Sequence, residues 1–277
     1  MPIKVDLHNH SKYSGDSYIQ NCTPQRIFDY AFDKSKLDVL AITDARADLF
    51  FDKVTNKPKK YFSKNIELLD ANKEIAVFKK YGERLYLLRG MEHHDDNGGH
   101  ILQIGGKNPI KYDSKRTLKE RINYSHDEGA LAGIAHPYYT DFGGVNAKTL
   151  EELFSFADFI EVFNSASKKE YNNMTRDFVR KHNLVGLSNS DSHDIKAGRA
   201  YTIFDENLTE CLDENTSLIK DAIKNNKISG HHQEYTGFWE KVYTFALRDF
   251  LAGDPKPAID RVKREIRNRL SIKVRKS

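Results

Sequence analysis

Short apolar runs alternate with helical segments along most of this chain, and this alternation restricts the fold more than any other feature. Ile3–His8 alternates apolar and polar side chains, whereas Leu37–Thr43 is an almost continuous apolar run with polar residues at its end. Strands that alternate with helices predict a parallel sheet covered by helices. Further strands are predicted at Leu85–Arg89, Leu131–Ala135, Phe159–Phe163, Val185–Ser188 and Ala200–Phe204. Helices are predicted from Thr23-Pro24, at Leu118–Glu128, Leu150–Phe156 and Tyr171–His182, and in a segment with Ile66, Leu69, Ile75 and Phe78 on its apolar side.

The length of the chain and its lack of certain motifs exclude several other classes of protein. The 277 residues can bury the core of one large α/β domain. About seven strand–helix units without a glycine-rich dinucleotide fingerprint favour a barrel over an open sheet. No run of 18 apolar residues occurs, so we expect no membrane span, and the N-terminal residues lack a signal region, which predicts a cytoplasmic protein. Cys22 and Cys211 stand alone, so neither a disulfide framework nor a thiolate zinc site is expected.

Two domains are predicted from the pattern, a barrel over residues 1–235 and a basic helical extension over residues 236–277. Ile259, Val262, Ile266 and Leu270 recur at roughly helical spacing in this extension. We therefore expect the extension to pack on the barrel, with contact to nucleic-acid phosphates as the alternative.

Histidines and carboxylates follow the ends of several predicted strands. His8 and His10 stand two residues apart, as do Asp191 and His193, and such residues of a strand project to one face. The active site of a barrel lies where its strands end. This set of imidazoles and carboxylates suits Zn²⁺, Mn²⁺ or Fe²⁺, and it is too large for one tetrahedral ion. The candidate ligands at these strand ends are His8, His10, Glu92, His100, His136, Asp191 and His193.

The chain resembles the PHP (polymerase and histidinol phosphatase) superfamily of metal-dependent phosphoesterases over roughly residues 1–205. The motifs that carry the resemblance are Asp6-Leu7-His8-Asn9-His10-Ser11, Ala41-Ile42-Thr43-Asp44, Gly90-Met91-Glu92, Gly99-His100-Ile101-Leu102, Ala135-His136-Pro137, Ile160-Glu161-Val162, Ser190-Asp191-Ser192-His193 and Gly198-Arg199-Ala200. The resemblance implies a distorted (β/α)7 TIM-like barrel that holds two or three divalent ions. It implies one ion among His8, His10, Glu92 and Asp191, and a second among Glu92, His100 and His136.

The chain departs from the family pattern at the third metal site. Ala45 follows Thr43-Asp44 where the family usually has a histidine, and the acid of the first loop, Asp16, is shifted by one position. Asp16 remains a candidate ligand, and Asp44 a candidate site residue. Arg46 is considered as a substitute cation. We therefore expect two firmly bound ions and a third that is weak, substrate-dependent or absent.

The predicted reaction is phosphoester hydrolysis by a metal-bridged hydroxide. His193 is predicted to protonate the leaving oxygen or to hold a water molecule. Arg199 is predicted to clamp a phosphate, with a structural ion pair as the alternative. His93 and His94 are expected at the surface or the pocket rim, and His231-His232 in a loop. The predicted substrate is a small phosphorylated molecule or a nucleotide. The alternatives are a nuclease that uses the basic extension, a non-catalytic metal-containing module, and hydrolysis of C–N or C–O bonds.

Overall fold

A computed structural model describes residues 2–14, 21–45, 47–95, 98–109, 115–209 and 211–237. Its strands are β1 (Ile3–Asp6), β2 (Val39–Ile42), β3 (Glu67–Ala71), β4 (Ile75–Lys80), β5 (Glu83–His94), β6 (His100–Ile104), β7 (Leu131–Ile134), β8 (Phe159–Asn164), β9 (Gly186–Asn189), β10 (Ala200–Phe204) and β11 (Ile228–Gln233). Its helices are α1 (Pro24–Tyr30), α2 (Ala47–Asn56), α3 (Pro58–Tyr61), α4 (Leu118–Asp127), α5 (Ala147–Leu153), α6 (Lys169–His182) and α7 (Leu212–Lys224). Asp16, Arg46 and the predicted extension beyond Gly237 lie outside the described residues.

The strands form one nearly closed, barrel-shaped sheet in the order β11-β10-β1-β2-β5-β6-β7-β8-β9, with the β3–β4 hairpin attached to β5. β1, β2 and β5 run parallel, as do β7, β8 and β9. The chain just beyond β1 meets the chain just beyond β9, where Asn9 pairs with Ser192 and the amide of His10 donates to the Ser192 carbonyl at 2.9 Å. The predicted α/β barrel is confirmed.

Alternate residues of the strands fill the inside of the barrel. Ile3, Val5 and Leu7 of the first strand and its continuation share one buried cluster with Phe159 and with residues of β2, β5, β6, β7, β9 and β10. Gly133 of β7 is required beside this cluster, because a Cβ at this position would lie 2.1 Å from the Phe159 ring. The two-residue period therefore separates the interior from the outer face of the barrel.

The outer face of the sheet is covered by two further apolar layers. α1 and α2 contribute Ile27, Phe28 and Phe50 to one layer, and α4, α5 and α6 contribute to the other. α1 begins at Pro24 as predicted, although the Thr23 side chain forms no cap hydrogen bond. α4 begins with a capping box, in which Thr117 and Glu120 exchange hydrogen bonds.

The helix predicted through Ile66, Leu69, Ile75 and Phe78 is wrong, because the structure has the β3–β4 hairpin there. The Asn72 carboxamide accepts hydrogen bonds from the amides of Glu74 and Ile75, which closes a turn between the two strands. β4 then pairs with β3 on one side and β5 on the other. Periodicity alone does not distinguish a short buried strand from part of a helix.

Outside the β3–β4 hairpin, antiparallel pairing also occurs at β6, β10 and β11, in contrast to the all-parallel sheet that the alternation predicts. β6 is antiparallel to both of its neighbours, β5 and β7. β10 pairs antiparallel with β1, and β11 pairs antiparallel with β10. His231 and His232 lie in β11, so the predicted loop at these histidines is wrong. Among the described helices, none is both long and apolar enough to cross a membrane.

Candidate metal centre

His8 and His10 point their imidazoles at the same space beyond the end of β1. Their Nε2 atoms are 3.2 Å apart, and both rings are buried. Extended backbone places residues two apart on one face, so this convergence follows from the spacing in the sequence. Neighbouring Asp6 accepts hydrogen bonds from Ser190 and Gly198, and these bonds connect the end of β1 to the loop between β9 and β10.

Glu92 lies at the centre of a group of histidine side chains. Its Oε1 atom is 2.7 Å from Nδ1 of His100, 3.1 Å from Nε2 of His136 and 3.4 Å from Nε2 of His8, and its Oε2 atom is 3.5 Å from Nε2 of His10. His100 reaches this position because β6 runs antiparallel to β5, so the first residue of β6 lies at the same rim as the end of β5. Nε2 of His94 also lies 3.5 Å from Oε2 of Glu92. One carboxylate therefore faces five imidazoles, as a carboxylate that bridges two ions would.

Asp191 joins this group of side chains from the end of β9. Its Oδ1 atom is 3.2 Å from Nε2 of His10 and 3.4 Å from both Nε2 of His8 and Nδ1 of His193. This buried oxygen has no hydrogen-bond partner among the described residues. Because a buried carboxylate oxygen without a donor costs free energy, its position among imidazole nitrogens fits a divalent ion.

Two of the candidate ligands adopt backbone angles that side chains rarely take. His136 has a φ of 26° and Asp191 a φ of 46°. The amide of His136 donates to Glu161 at 2.8 Å, and the amide of Asp191 donates to the His8 carbonyl at 2.7 Å. These bonds hold the strained turns that follow β7 and β9, and strain of this kind is concentrated at functional sites.

The close packing of carboxylates and imidazoles shifts their pKa values. Burial raises the pKa of Glu92, but His100 and His8 outweigh burial and hold it well below its usual range. Burial lowers the pKa of His8, but Asp191, Glu161 and Glu92 outweigh it and raise the pKa well above its usual value. The pKa values of His10 and His136 are raised in the same way, against burial, by Glu92 and Asp191. Burial lowers the pKa of His100 to about 4, which keeps this ring neutral.

Four groups of three donors have ligand atoms that lie within 4.8 Å of one another. Three of these groups contain Glu92 or His10 and the fourth joins His8, His136 and Asp191, so the groups share members. Overlapping groups of this kind are typical of a cluster with more than one ion. The groups are His8–His10–Glu92, His8–His136–Asp191, His10–Asp191–His193 and Glu92–His100–His136.

A buried carboxylate that was not among the predicted site residues, Glu161, supports two of the ligands. Its Oε1 atom is 3.1 Å from Nδ1 of His8, and its other oxygen accepts from the His136 amide. Asn164 and Asn189 also donate to it. The bond to Nδ1 directs Nε2 of His8 towards the other ligands, as carboxylates behind metal-bound imidazoles do. Glu161 lies in one of the motifs that carry the family resemblance, and this was the signal available in the sequence.

Asp44 and Arg199 have other partners in the structure. Asp44 accepts from the amide of Ser11 at 2.7 Å and from its hydroxyl, and it lies 3.8 Å from Nδ1 of His10. The guanidinium of Arg199 is buried and contacts Asp194 at 2.7 Å. Asp44 is therefore placed behind His10, and Arg199 in an ion pair.

His93 and His94 lie on β5, not in a loop. The ring of His93 is buried, and its Nε2 atom is 3.0 Å from Gln103, so its predicted place at the surface or rim is wrong. His94 is half exposed and stacks on His100 with ring centroids 4.0 Å apart. Alternation along the strand explains the difference, because Glu92 and His94 share one face and His93 faces the other.

Comparison with known proteins gives matches among solved structures. No protein-family profile matches the chain, and no curated protein does. The lesion-specific endonuclease PfuEndoQ from Pyrococcus furiosus matches with a TM-score of 0.59 and 21% identity, over 83% of this chain and 58% of that one. PsfC from Pseudomonas syringae matches with a TM-score of 0.60 and 15% identity, over 90% and 99% of the two chains.

A two-domain protein from Bacteroides vulgatus, which contains a predicted PHP-like metal-dependent phosphoesterase, matches with a TM-score of 0.54 and 16% identity. The match covers 88% of this chain and 69% of that one. This chain thus spans little more than half of the endonuclease and most of the other two proteins. The barrel, with its His, Glu and Asp clusters at one rim, has the fold of the PHP-type metal-dependent phosphoesterases.

Proposed function

We propose that this protein is a metal-dependent hydrolase of phosphoesters. The observation that supports the proposal is the convergence of five imidazoles on Glu92, with the orphaned oxygen of Asp191 beside them. An imidazole and carboxylate set of this kind suits Zn²⁺, Mn²⁺ or Fe²⁺. His8, His10, Glu92 and Asp191 would hold one ion, and Glu92, His100 and His136 the second.

Two such ions, when bound, activate a water molecule and offset the charge of the phosphoryl oxygens. The residues of this chain hold that centre in position. Glu161 orients His8, and Asp44 lies behind His10. Both histidines therefore present Nε2 to the space that they share.

His193 is the proposed general acid. Its Nδ1 atom is 3.2 Å from the carbonyl of Asp191, and its side chain is 28% exposed. With a hydrogen on Nδ1, the ring would donate a hydrogen bond to that carbonyl. Nε2 would then be available to exchange a proton with the leaving oxygen of the substrate. Being partly exposed at the rim, the ring is accessible to a substrate that enters from solvent.

Two substrate classes place different demands on this rim. A small phosphorylated molecule or a nucleotide requires only the metal centre and its rim. A nucleic acid requires, in addition, a cationic surface that continues beyond the rim. Endonuclease Q has been observed with a 27-mer duplex substrate that has an abasic lesion at the active site, in a structure that matches this chain at 21% identity with a TM-score of 0.56. Nucleic-acid cleavage is therefore the second candidate.

Elemental analysis of the purified protein, combined with a substrate screen, tests the reaction class. We expect about two Zn, Mn or Fe ions per chain and hydrolysis of a phosphomonoester or phosphodiester that a chelator abolishes and added metal restores. Amide and carboxylic ester substrates serve as controls for C–N and C–O hydrolysis. Bound metal without hydrolysis of any phosphoester would support a non-catalytic module and contradict the proposal.

A further inference from the structure

Two partly buried tyrosines and three lysines form a continuous surface next to the metal centre. Nζ of Lys12 and Nζ of Lys53 lie 5.3 and 5.4 Å from the centre of the Tyr13 ring. Nζ of Lys60 lies 5.8 Å from the centre of the Tyr61 ring, and the two tyrosine rings are 6.5 Å apart, edge to face. These distances are within the range of cation–π attraction. We call these five residues the lysine–tyrosine surface.

Three residues of the surface, Lys53, Lys60 and Tyr61, lie in a strongly basic stretch of the chain. Residues 49–65 contain five lysines and one acidic residue, so their formal charge of +4 equals that of the whole chain. That acidic residue, Asp52, forms an ion pair with Arg89 at 2.5 Å. Within the described part of the chain, no carboxylate lies within 4.0 Å of Lys12, Lys53, Lys57, Lys59, Lys60 or Lys64.

Some lysines elsewhere on the barrel are paired. Lys36 contacts Glu83 at 3.0 Å, Lys220 contacts Glu74 at 2.6 Å and Lys227 contacts Glu206 at 2.6 Å. Residues 49–65, in contrast, bring five lysines together within 17 residues of the chain. Such a concentration of positive charge attracts anions.

The surface begins at the metal centre itself. Lys12 and Tyr13 follow His10 in the chain, and the Tyr13 amide donates to the Ser11 hydroxyl at 3.2 Å. Ser11 in turn donates to Asp44 behind His10. Because three residues of extended chain span at most about 10 Å, Tyr13 lies within that distance of His10. An anion on the surface would thus be one or two phosphates away from an ester held at the ions.

We propose that the lysine–tyrosine surface binds the phosphate backbone of a nucleic-acid strand whose ester is hydrolysed at the metal centre. Several cations in a row, together with partly exposed aromatic rings, match a polymer of phosphates and bases better than a single phosphate. The inference rests on the proposed phosphoesterase function and specifies its substrate class. It requires no contribution from the residues after Gly237.

A fluorescein-labelled oligonucleotide of about 20 nucleotides, single-stranded or as a duplex, tests the surface by fluorescence anisotropy at several salt concentrations. The full chain is compared with a triple variant that replaces the three lysines of the surface, Lys12→Gln, Lys53→Gln and Lys60→Gln. The matched control removes the same charge elsewhere with Lys148→Gln, Lys181→Gln and Lys224→Gln. A further variant with arginine at positions 12, 53 and 60 keeps the charge and should retain binding.

We expect the surface variant to lose about three units of the salt dependence of log K, about one for each lysine, and at least about tenfold in affinity at low salt. The control variant should bind as the unmodified protein does. Equal affinity in the surface and control variants would overturn the inference. Binding to phosphatidylserine vesicles that depends on the three lysines, without binding of either oligonucleotide, would overturn it as well.

Hydrolysis of the small diester bis(p-nitrophenyl) phosphate by the unmodified protein is measured separately. If this hydrolysis is absent and no oligonucleotide is cleaved, the proposed function fails, whatever the binding results are. If hydrolysis is present but oligonucleotide affinity does not depend on the three lysines, only the surface is rejected. The two failures are thus distinguishable.

Discussion

The half of the metal centre around Glu92 and the half next to Asp44 are built differently. Glu92 has imidazole nitrogens from five histidines within 3.5 Å, those of His8, His10, His94, His100 and His136. Asp44 instead accepts two hydrogen bonds from Ser11 and has Nδ1 of His10 at 3.8 Å. Ala45, which follows it, has no metal-binding group where the family pattern has a histidine. The side chains around Glu92 are therefore placed to bind ions. Asp44 is instead placed to support the predicted ligand His10.

The largest expected effect comes from removing the carboxylate of Asp191, which lies beside the histidines that face Glu92. Asp191→Ala deletes the oxygen that lies among His8, His10 and His193. We expect loss of bound metal by elemental analysis and at least about a thousandfold loss of hydrolysis, since the two-ion chemistry is lost. His232→Gln, which replaces a histidine stacked on Tyr201, is the control. Full metal content and activity in Asp191→Ala would reject the proposed centre.

Replacing the proposed general acid should separate turnover from metal binding. We expect His193→Gln to keep two ions and to lose about 10²–10⁴-fold in kcat. The loss should shrink for p-nitrophenyl esters, because their leaving group needs no proton. An equal loss for alkyl and nitrophenyl esters would show that His193 does not act as an acid.

Glu161→Gln tests the support behind His8 with little change in volume. The substitution places an amide donor where two oxygens now accept four hydrogen bonds, so the His8 ring loses its orientation. We expect metal affinity to fall by about 10–100-fold, as determined by competition with a chelator. Unchanged affinity in Glu161→Gln would contradict the positioning role.

The pH dependence of stability should have opposite signs without and with metal. In the metal-free protein, carboxylates outweigh burial and raise the pKa values of His8, His10 and His136. Their contribution to stability is complete below the unfolded pKa of about 6.5, and it is lost as pH rises through the raised values. Metal binding requires neutral rings, so it releases protons and strengthens as pH rises. Above about pH 6.5, calorimetric Tm values should therefore fall as pH rises without metal and increase as pH rises at a fixed metal concentration. Parallel changes would contradict this assignment.

Restoring a histidine beside Asp44 is expected to have the smallest effect. Ala45→His supplies the imidazole that the family pattern has at this position, directly after Asp44. We expect metal content to rise towards three ions in excess Mn²⁺, whereas Ala45→Gln adds similar bulk without an imidazole and should not change it. Equal metal content in the two variants would show that more than one missing ligand prevents a third ion from binding.

Much of this site was predictable because its residues follow strand ends. His8 and His10 converge for a reason visible in the sequence, the two-residue period of extended chain. Glu161 was not predicted as a site residue, because a single buried carboxylate within a strand has no distinctive spacing. The β3–β4 hairpin was mistaken for a helix, because Asn72 forms a turn that a short apolar pattern does not indicate.

Three features can be recognised from the amino-acid sequence alone. They are the alternation of strands and helices, the residues that can bind metal, and Ala45 in place of the family's histidine. These are local properties, set by side-chain chemistry and by the periods of helix and strand. Two further features are visible only in the folded barrel. β6 runs antiparallel to β5 and so brings His100 to Glu92, and Lys53 and Lys60 lie beside tyrosine rings. Strand direction and the approach of distant helices depend on how the whole barrel closes and packs, and no local window of sequence contains that information.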